Sequence, residues 1–143
     1  MARILIMNED PDICEGCRVV LTSSGFEVRC IEDTSTGLAT VREFEPDLMI
    51  LDDWAEQSHD GMRMAGVFRR AGFTKPILLL TELGHMASFV YARGGAGLPV
   101  DAIQEKPLEP KRLLSVVAGL LVEKPVRPRR RQGGQRLGRA DAK

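Results

Sequence analysis

At 143 residues the chain has the length of one domain with a short extension, and its 43% apolar content suffices for a packed core of that size. Lys plus Arg equals Asp plus Glu at 20 each, but the neutral total is uneven: Glu123 to Lys143 carries eight basic and two acidic residues, leaving 12 basic and 18 acidic in 1–122. An acidic domain of residues 1–122 with a basic, disordered tail of 123–143 is the expected organisation. No run approaches the roughly 20 apolar residues of a membrane-spanning helix, and Met1 leads directly into a strand-like run without a signal-peptide layout. The expected setting is therefore the cytoplasm, without membrane contact, where three cysteines favour reduced thiols over a disulfide framework.

Along the chain, short aliphatic runs alternate with segments of helical period. The first strand is predicted at Arg3–Met7 (RILIM), followed by a helix over 11–24 with Ile13, Cys17, Val20 and Leu21 on one stripe. Pro11 suits that helix's first turn and Gly25 its stop. The second strand is Glu27–Ile31 (EVRCI), and a helix over 35–45 follows the cap candidates Ser35 and Thr36 and ends before Pro46. The third strand, Leu48–Leu51 (LMIL), precedes a helix over 61–71 that stops at Gly72. The fourth, Ile77–Leu80 (ILLL), precedes the poorest helix candidate, 84–93, weakened by glycines at both ends. A weak fifth strand at Ala102–Gln104 leads to a last helix over about 109–121, with Leu113, Leu114, Val117, Leu120 and Leu121 at helical spacing.

Strands one, three and four are almost continuously apolar, the pattern of strands buried on both faces of a parallel sheet. Alternation of β and α then implies an α/β fold with helices on both faces of a five-stranded parallel sheet. In such sheets functional groups gather at the carboxyl ends of the strands. There the sequence sets Asn8-Glu9-Asp10 after strand one, Asp52-Asp53 after strand three, Thr81 at the end of strand four, and Lys106-Pro107 after strand five. Acids, a hydroxyl and a lysine in that order are more specific than any of them alone.

These blocks resemble bacterial response-regulator receiver domains. RILIMNEDPDI is similar to the family's first strand and acidic turn, EPDLMILD to its third strand with the phosphorylated aspartate, and KPILLLTE and QEKPLEPKRLL to its fourth strand and Lys-Pro turn. The resemblance covers about residues 2–122 and implies a flavodoxin-like, doubly wound (βα)5 fold. It implies a stand-alone, chemotaxis-regulator-like switch, a signalling domain rather than a metabolic enzyme, that catalyses only its own phosphotransfer and dephosphorylation. Asp52 would accept a phosphoryl group from a sensor histidine kinase or phosphotransfer protein, and the altered surface would bind an output protein. Mg²⁺ would be held by Glu9, Asp52 and the backbone carbonyl of Trp54, with Asn8 or Asp10 as further candidates. Lys106 would pair with a phosphoryl oxygen and Thr81 would hydrogen-bond the phosphoryl group. The chemistry requires such partners, because a carboxylate attacking an anionic phosphoryl group meets charge repulsion. The resemblance also admits a homodimer.

The sequence departs from the family at several points. Asn8 stands where an acid is usual, and Glu9 replaces the commoner Asp. The loop DDWAEQSHDG is long and lacks the usual proline; Ile103 takes the place of an aromatic; the Thr81–Lys106 segment, with GGAGLPVD, is extended. These features favour the alternative of a phosphorylation-independent interaction domain. A haloacid-dehalogenase-type hydrolase ranks last, because Trp54 stands where that chemistry needs a second aspartate.

Cys14 and Cys17 form a C-x-x-C, but zinc needs a second ligand pair, and a redox pair normally opens a helix, whereas these fall inside one. His59 and His85 stand alone. The tail can bind nucleic acid or an acidic partner by charge, or act only as a solubilising segment.

Overall fold

The computed structural model describes residues 1–32, 34–52, 60–82, 97–106 and 109–123. Five strands, β1 (Arg3–Met7), β2 (Glu27–Ile31), β3 (Leu48–Asp52), β4 (Ile77–Thr81) and β5 (Ala102–Glu105), form one sheet in the order β2-β1-β3-β4-β5. All four pairings are parallel. The order reverses direction after β2, as the doubly wound arrangement requires, and places a switch point between β1 and β3.

Four helices are described: α1 (Pro11–Thr22), α2 (Gly37–Phe44), α3 (Asp60–Arg70) and α4 (Pro110–Glu123). The two-residue side-chain period divides the sheet's apolar residues cleanly. Ile4, Ile6, Leu48, Ile50, Leu78 and Leu80 face Cys14, Cys17 and Leu21 of α1 and Leu113, Val117 and Leu120 of α4. Leu5, Met7, Met49, Leu51, Ile77 and Leu79 face Phe44 of α2 and Met62, Ala65 and Phe68 of α3. Nearly continuous burial in β1, β3 and β4 follows, because each strand is covered on both sides.

Helix boundaries shift from the periodicity for local reasons. The first helix ends at Thr22, two residues early, and Gly25 (φ 94°) turns the chain so that Phe26 N–H donates to the Leu21 carbonyl at 3.3 Å. The second begins at Gly37 after a 3₁₀ turn over Thr34–Thr36, and Thr36 makes no side-chain cap bond. Glu45 closes it in the left-handed region (φ 52°, ψ 62°), its N–H donating to the Val41 carbonyl. The third and last helices are offset by one or two residues from 61–71 and 109–121. Strands β3, β4 and β5 each extend one residue further than predicted, taking in Asp52, Thr81 and Glu105. The predicted helix over 84–93 lies outside the described residues, as does all of the tail beyond Glu123.

A buried ion pair ties α3 to the segment that enters β5. Arg69 Nη2 lies 2.7 Å from Asp101 Oδ2, with side chains only 9% and 8% exposed. Arg69 also donates to the carbonyls of Phe73, Lys75 and Pro99, and Asp101 accepts from Ile77 N–H. One guanidinium thus fixes the entries to both β4 and β5, with its donors satisfied, the condition under which a buried charge is tolerated.

Candidate functional site

Sheet register brings the expected residues together. Met7 pairs with Leu51, so Asn8 leaves β1 beside Asp52 at the end of β3. Asp52 pairs with Leu80 and Thr81 with Glu105, and Lys106 N–H donates to the Thr81 carbonyl at 2.8 Å. Asn8, Asp52, Thr81 and Lys106 therefore follow one another across a single edge.

Asp52 is the acidic side chain buried at the centre of this edge, 2% exposed. Lys106 Nζ stands 2.5 Å from its Oδ1 and 3.4 Å from Glu82 Oε2. The ammonium neutralises a carboxylate that would otherwise be costly to bury. Thr81 is fully buried, and its hydroxyl has no hydrogen-bond partner among the described residues. A buried hydroxyl without a partner is rare in folded proteins.

The acidic turn is divided among different tasks. Asn8 is buried; its Oδ1 accepts from Asp10 N–H at 2.8 Å, while its Nδ2 has no partner among the described residues. Asp10 is the N-cap of α1, its Oδ1 accepting from Asp12 N–H at 2.9 Å. Glu9 is exposed. Asp53, Trp54, His59, His85 and Pro107 lie outside the described residues.

No group of three or more His, Cys, Asp or Glu side chains with the arrangement of a metal site occurs among the described residues. Mg²⁺ does not need one, since it keeps several waters and is held through one or two carboxylates plus phosphate oxygens. Asp52 and Glu9 supply two carboxylates at the right edge, so the residues fit a sparsely ligated Mg²⁺. Asn8 adds no charge to it.

Two features escaped the sequence reading. Gly61, at the start of α3, abuts Asp52: a Cβ there would come within 2.5 Å of the Asp52 carbonyl oxygen and 2.8 Å of Leu79 Cδ1. Its place shortly after the Asp52 loop was a signal available in the sequence. Beside Lys106, an apolar groove of about 420 Å³ runs between α1 and α4, lined by Ile13, Gly16, Cys17, Val20, Pro110 and Leu113. No sequence pattern announces it, because it depends on how two helices lie on the sheet.

A doubly wound parallel sheet with a lysine-paired aspartate and a buried hydroxyl at its carboxyl edge defines the receiver class of signalling domains. The family model for the response regulator receiver domain matches residues 4–118, and the chain belongs to that family, whose members serve two-component systems. It is 35% identical over 121 residues to the DNA-binding response regulator MtrA of Mycolicibacterium smegmatis, an alignment spanning 83% of this chain and 50% of that protein. It is 30% identical over 115 residues to the nitrogen assimilation regulatory protein NtrX of Azorhizobium caulinodans, spanning 79% of this chain and 24% of that one. The chain thus spans half or less of the length of these relatives. Among solved structures it is similar to a putative response regulator from Chloroflexus aurantiacus (26% identity, TM-score 0.71, 84% of this chain and 97% of that one). The receiver domain of NtrX from Brucella abortus shares the fold (24% identity, TM-score 0.73, 85% and 99% covered). No helix among the described residues is long and apolar enough to cross a membrane.

Proposed function

We propose that residues 1–122 form a phosphoryl-accepting receiver in the cytoplasm, with Asp52 as acceptor and a histidine kinase or phosphotransfer protein as donor. The observation that carries this reading is the contact of Lys106 Nζ with buried Asp52 Oδ1 beside the Thr81 hydroxyl, which has no partner among the described residues. An Asp52 oxygen attacks phosphorus as the bond to the donor imidazole breaks, giving an acyl phosphate and a free imidazole. Lys106 then follows the negative charge onto a phosphoryl oxygen. Thr81 donates its hydroxyl to another phosphoryl oxygen, drawing the end of β4 toward the site and altering the adjoining surface for an output protein. Mg²⁺, when bound by Asp52, Glu9 and the carbonyl of Trp54, would offset the repulsion between the two anionic reactants. Helix α4 carries the chain to Glu123, after which the basic residues offer charge to an acidic partner or nucleic acid.

The test is incubation of the chain with Mg²⁺ and a small-molecule acyl phosphate, followed by intact-mass measurement. The expected result is a gain of one phosphoryl group that is lost in Asp52→Asn. No gain in a folded protein overturns the reading. A second reading, a phosphorylation-independent interaction domain, is favoured by Asn8 in place of an acid and by the exposure of Glu9. Saturable quenching of Trp54 fluorescence by beryllofluoride separates the two, being expected only of a working acceptor pocket.

A further inference from the structure

Three cysteines converge where α1 lies on the edge strand β2. Cys14 and Cys17 belong to the α1 face of the core, and Cys30 of β2 packs against the same cluster. The Cys30 thiol donates to the Cys14 carbonyl at 3.5 Å, and the Cys14 thiol donates to the Asn8 carbonyl at 3.5 Å. Cys14 and Cys17 are buried, whereas Cys30 is half-buried at the edge of the sheet and reachable by a small oxidant. The C-x-x-C spacing therefore misleads: the tertiary neighbour of Cys14 is Cys30, sixteen residues on in the chain.

The surroundings divide the two thiols by role. The adjoining Cys14 thiol lowers the Cys30 pKa and the Arg18 charge lowers it further, against burial and the acids Glu15 and Glu32. The same contact, with burial, pushes Cys14 well upward. Burial holds Cys17 at about 11. The thiolate is the nucleophile, so Cys30 reacts first and Cys14 stands beside it as a thiol in reserve.

We propose that Cys30 and Cys14 form an oxidisable dithiol, in which a hydroperoxide converts the pair to an intramolecular disulfide joining β2 to α1. In the first step the Cys30 thiolate attacks a peroxide oxygen and the O–O bond breaks. The departing hydroxide (or alkoxide) takes up a proton, and Cys30 becomes a sulfenic acid. In the second, Cys14 sulfur attacks Cys30 sulfur; the S–S bond forms, the S–O bond breaks, and the hydroxide leaves with the Cys14 proton as water. With hydrogen peroxide, two thiols and one peroxide give one disulfide and two waters. The sulfur of Cys14 then no longer donates to Asn8, so oxidation reaches the turn beside Asp52 as well as the packing of α1.

The experiment exposes the full native chain to hydrogen peroxide, blocks remaining thiols with an alkylating agent, and maps peptides without reduction. A glutamate-specific protease cutting after Glu15 separates Cys14 from Cys17 and makes the pairing readable. A Cys14–Cys30 link, reversed by dithiothreitol and retained in Cys17→Ser, is the expected result. Cys30→Ser should form no internal disulfide, and Cys14→Ser should carry Cys30 to the sulfinic acid for want of a resolving thiol. Before oxidation, Cys30 should alkylate at neutral pH about tenfold faster than Cys17 or more. A Cys14–Cys17 link, links between chains only, or three intact thiols after peroxide overturns the assignment, and the wild-type map alone decides this without any variant having to fold.

Discussion

Lys106 Nζ meets Asp52 Oδ1 at 2.5 Å, joining the end of β3 to the residue that follows β5 across the intervening strand β4. The contact is structural as well as chemical, since Asp52 is sealed from water while Lys106 keeps 16% of its side chain exposed. Removing the ammonium leaves a buried carboxylate with less compensation, so Lys106→Met should destabilise the fold by about 2 kcal/mol. Adding Asp52→Asn to that variant should recover much of the loss. Urea denaturation of the two singles and the double forms the cycle that measures the coupling.

The Arg69–Asp101 pair is more deeply buried, and its loss should be more severe. Arg69→Met strands the Asp101 carboxylate and deprives three carbonyls of a donor. A loss of about 3–5 kcal/mol is expected, read as a lower urea midpoint. A loss under about 1 kcal/mol would show that the surrounding loops resatisfy these groups with water.

At Gly61 a methyl group has nowhere to go. Gly61→Ala should cost about 1–3 kcal/mol by forcing α3 from the Asp52 carbonyl and Leu79. Because the displaced atom belongs to Asp52, the proposed acceptor, phosphorylation by the acyl phosphate should slow more than the melting temperature alone would suggest. Equal phosphorylation rates at a temperature where both proteins are folded would confine Gly61 to packing.

Glu45 gives the opposite sign. A non-glycine residue there holds φ 52° at the end of α2. Glu45→Gly relieves that strain and should stabilise the domain by about 0.5–1 kcal/mol, seen as a raised melting temperature.

Asn8→Asp tests the sparse metal site. A third carboxylate at the buried end of β1 should tighten Mg²⁺ about tenfold or more if Asp52 and Glu9 hold the ion. Calorimetric titration with Mg²⁺ reads this directly, and unchanged affinity would place the ion away from Asn8.

The sheet was legible in the sequence because its strands are buried on both faces. Runs such as Ile4-Leu5-Ile6 and Leu78-Leu79-Leu80 have no other economical explanation in a chain of this size. The gathering of Asp52, Thr81 and Lys106 was legible for a related reason: in a parallel sheet, whatever follows each apolar run lands on one edge. What stayed hidden depends on relations between elements distant in the chain. That Cys14 adjoins Cys30 shows only once β2 is laid beside α1. Arg69 reads as an ordinary basic residue at a helix end until Asp101 arrives beneath it. Asp10, grouped with the other acids by proximity, caps α1 through its Oδ1, which accepts from Asp12 N–H.

The outermost strand β2 carries its charges outward. Glu27 and Arg29 are exposed and answered from neighbouring elements, Glu27 by Arg3 at 3.4 Å and Arg29 by Glu43 at 3.3 Å, with the Arg29 guanidinium 4.6 Å from the centre of the Phe44 ring. A strand from another copy could add to this margin only by stripping water from those groups and displacing their partners, so the margin is a poor template for fibril growth. Of the sheet's two margins, the one formed by β2 is thus guarded by charge against edge-to-edge pairing.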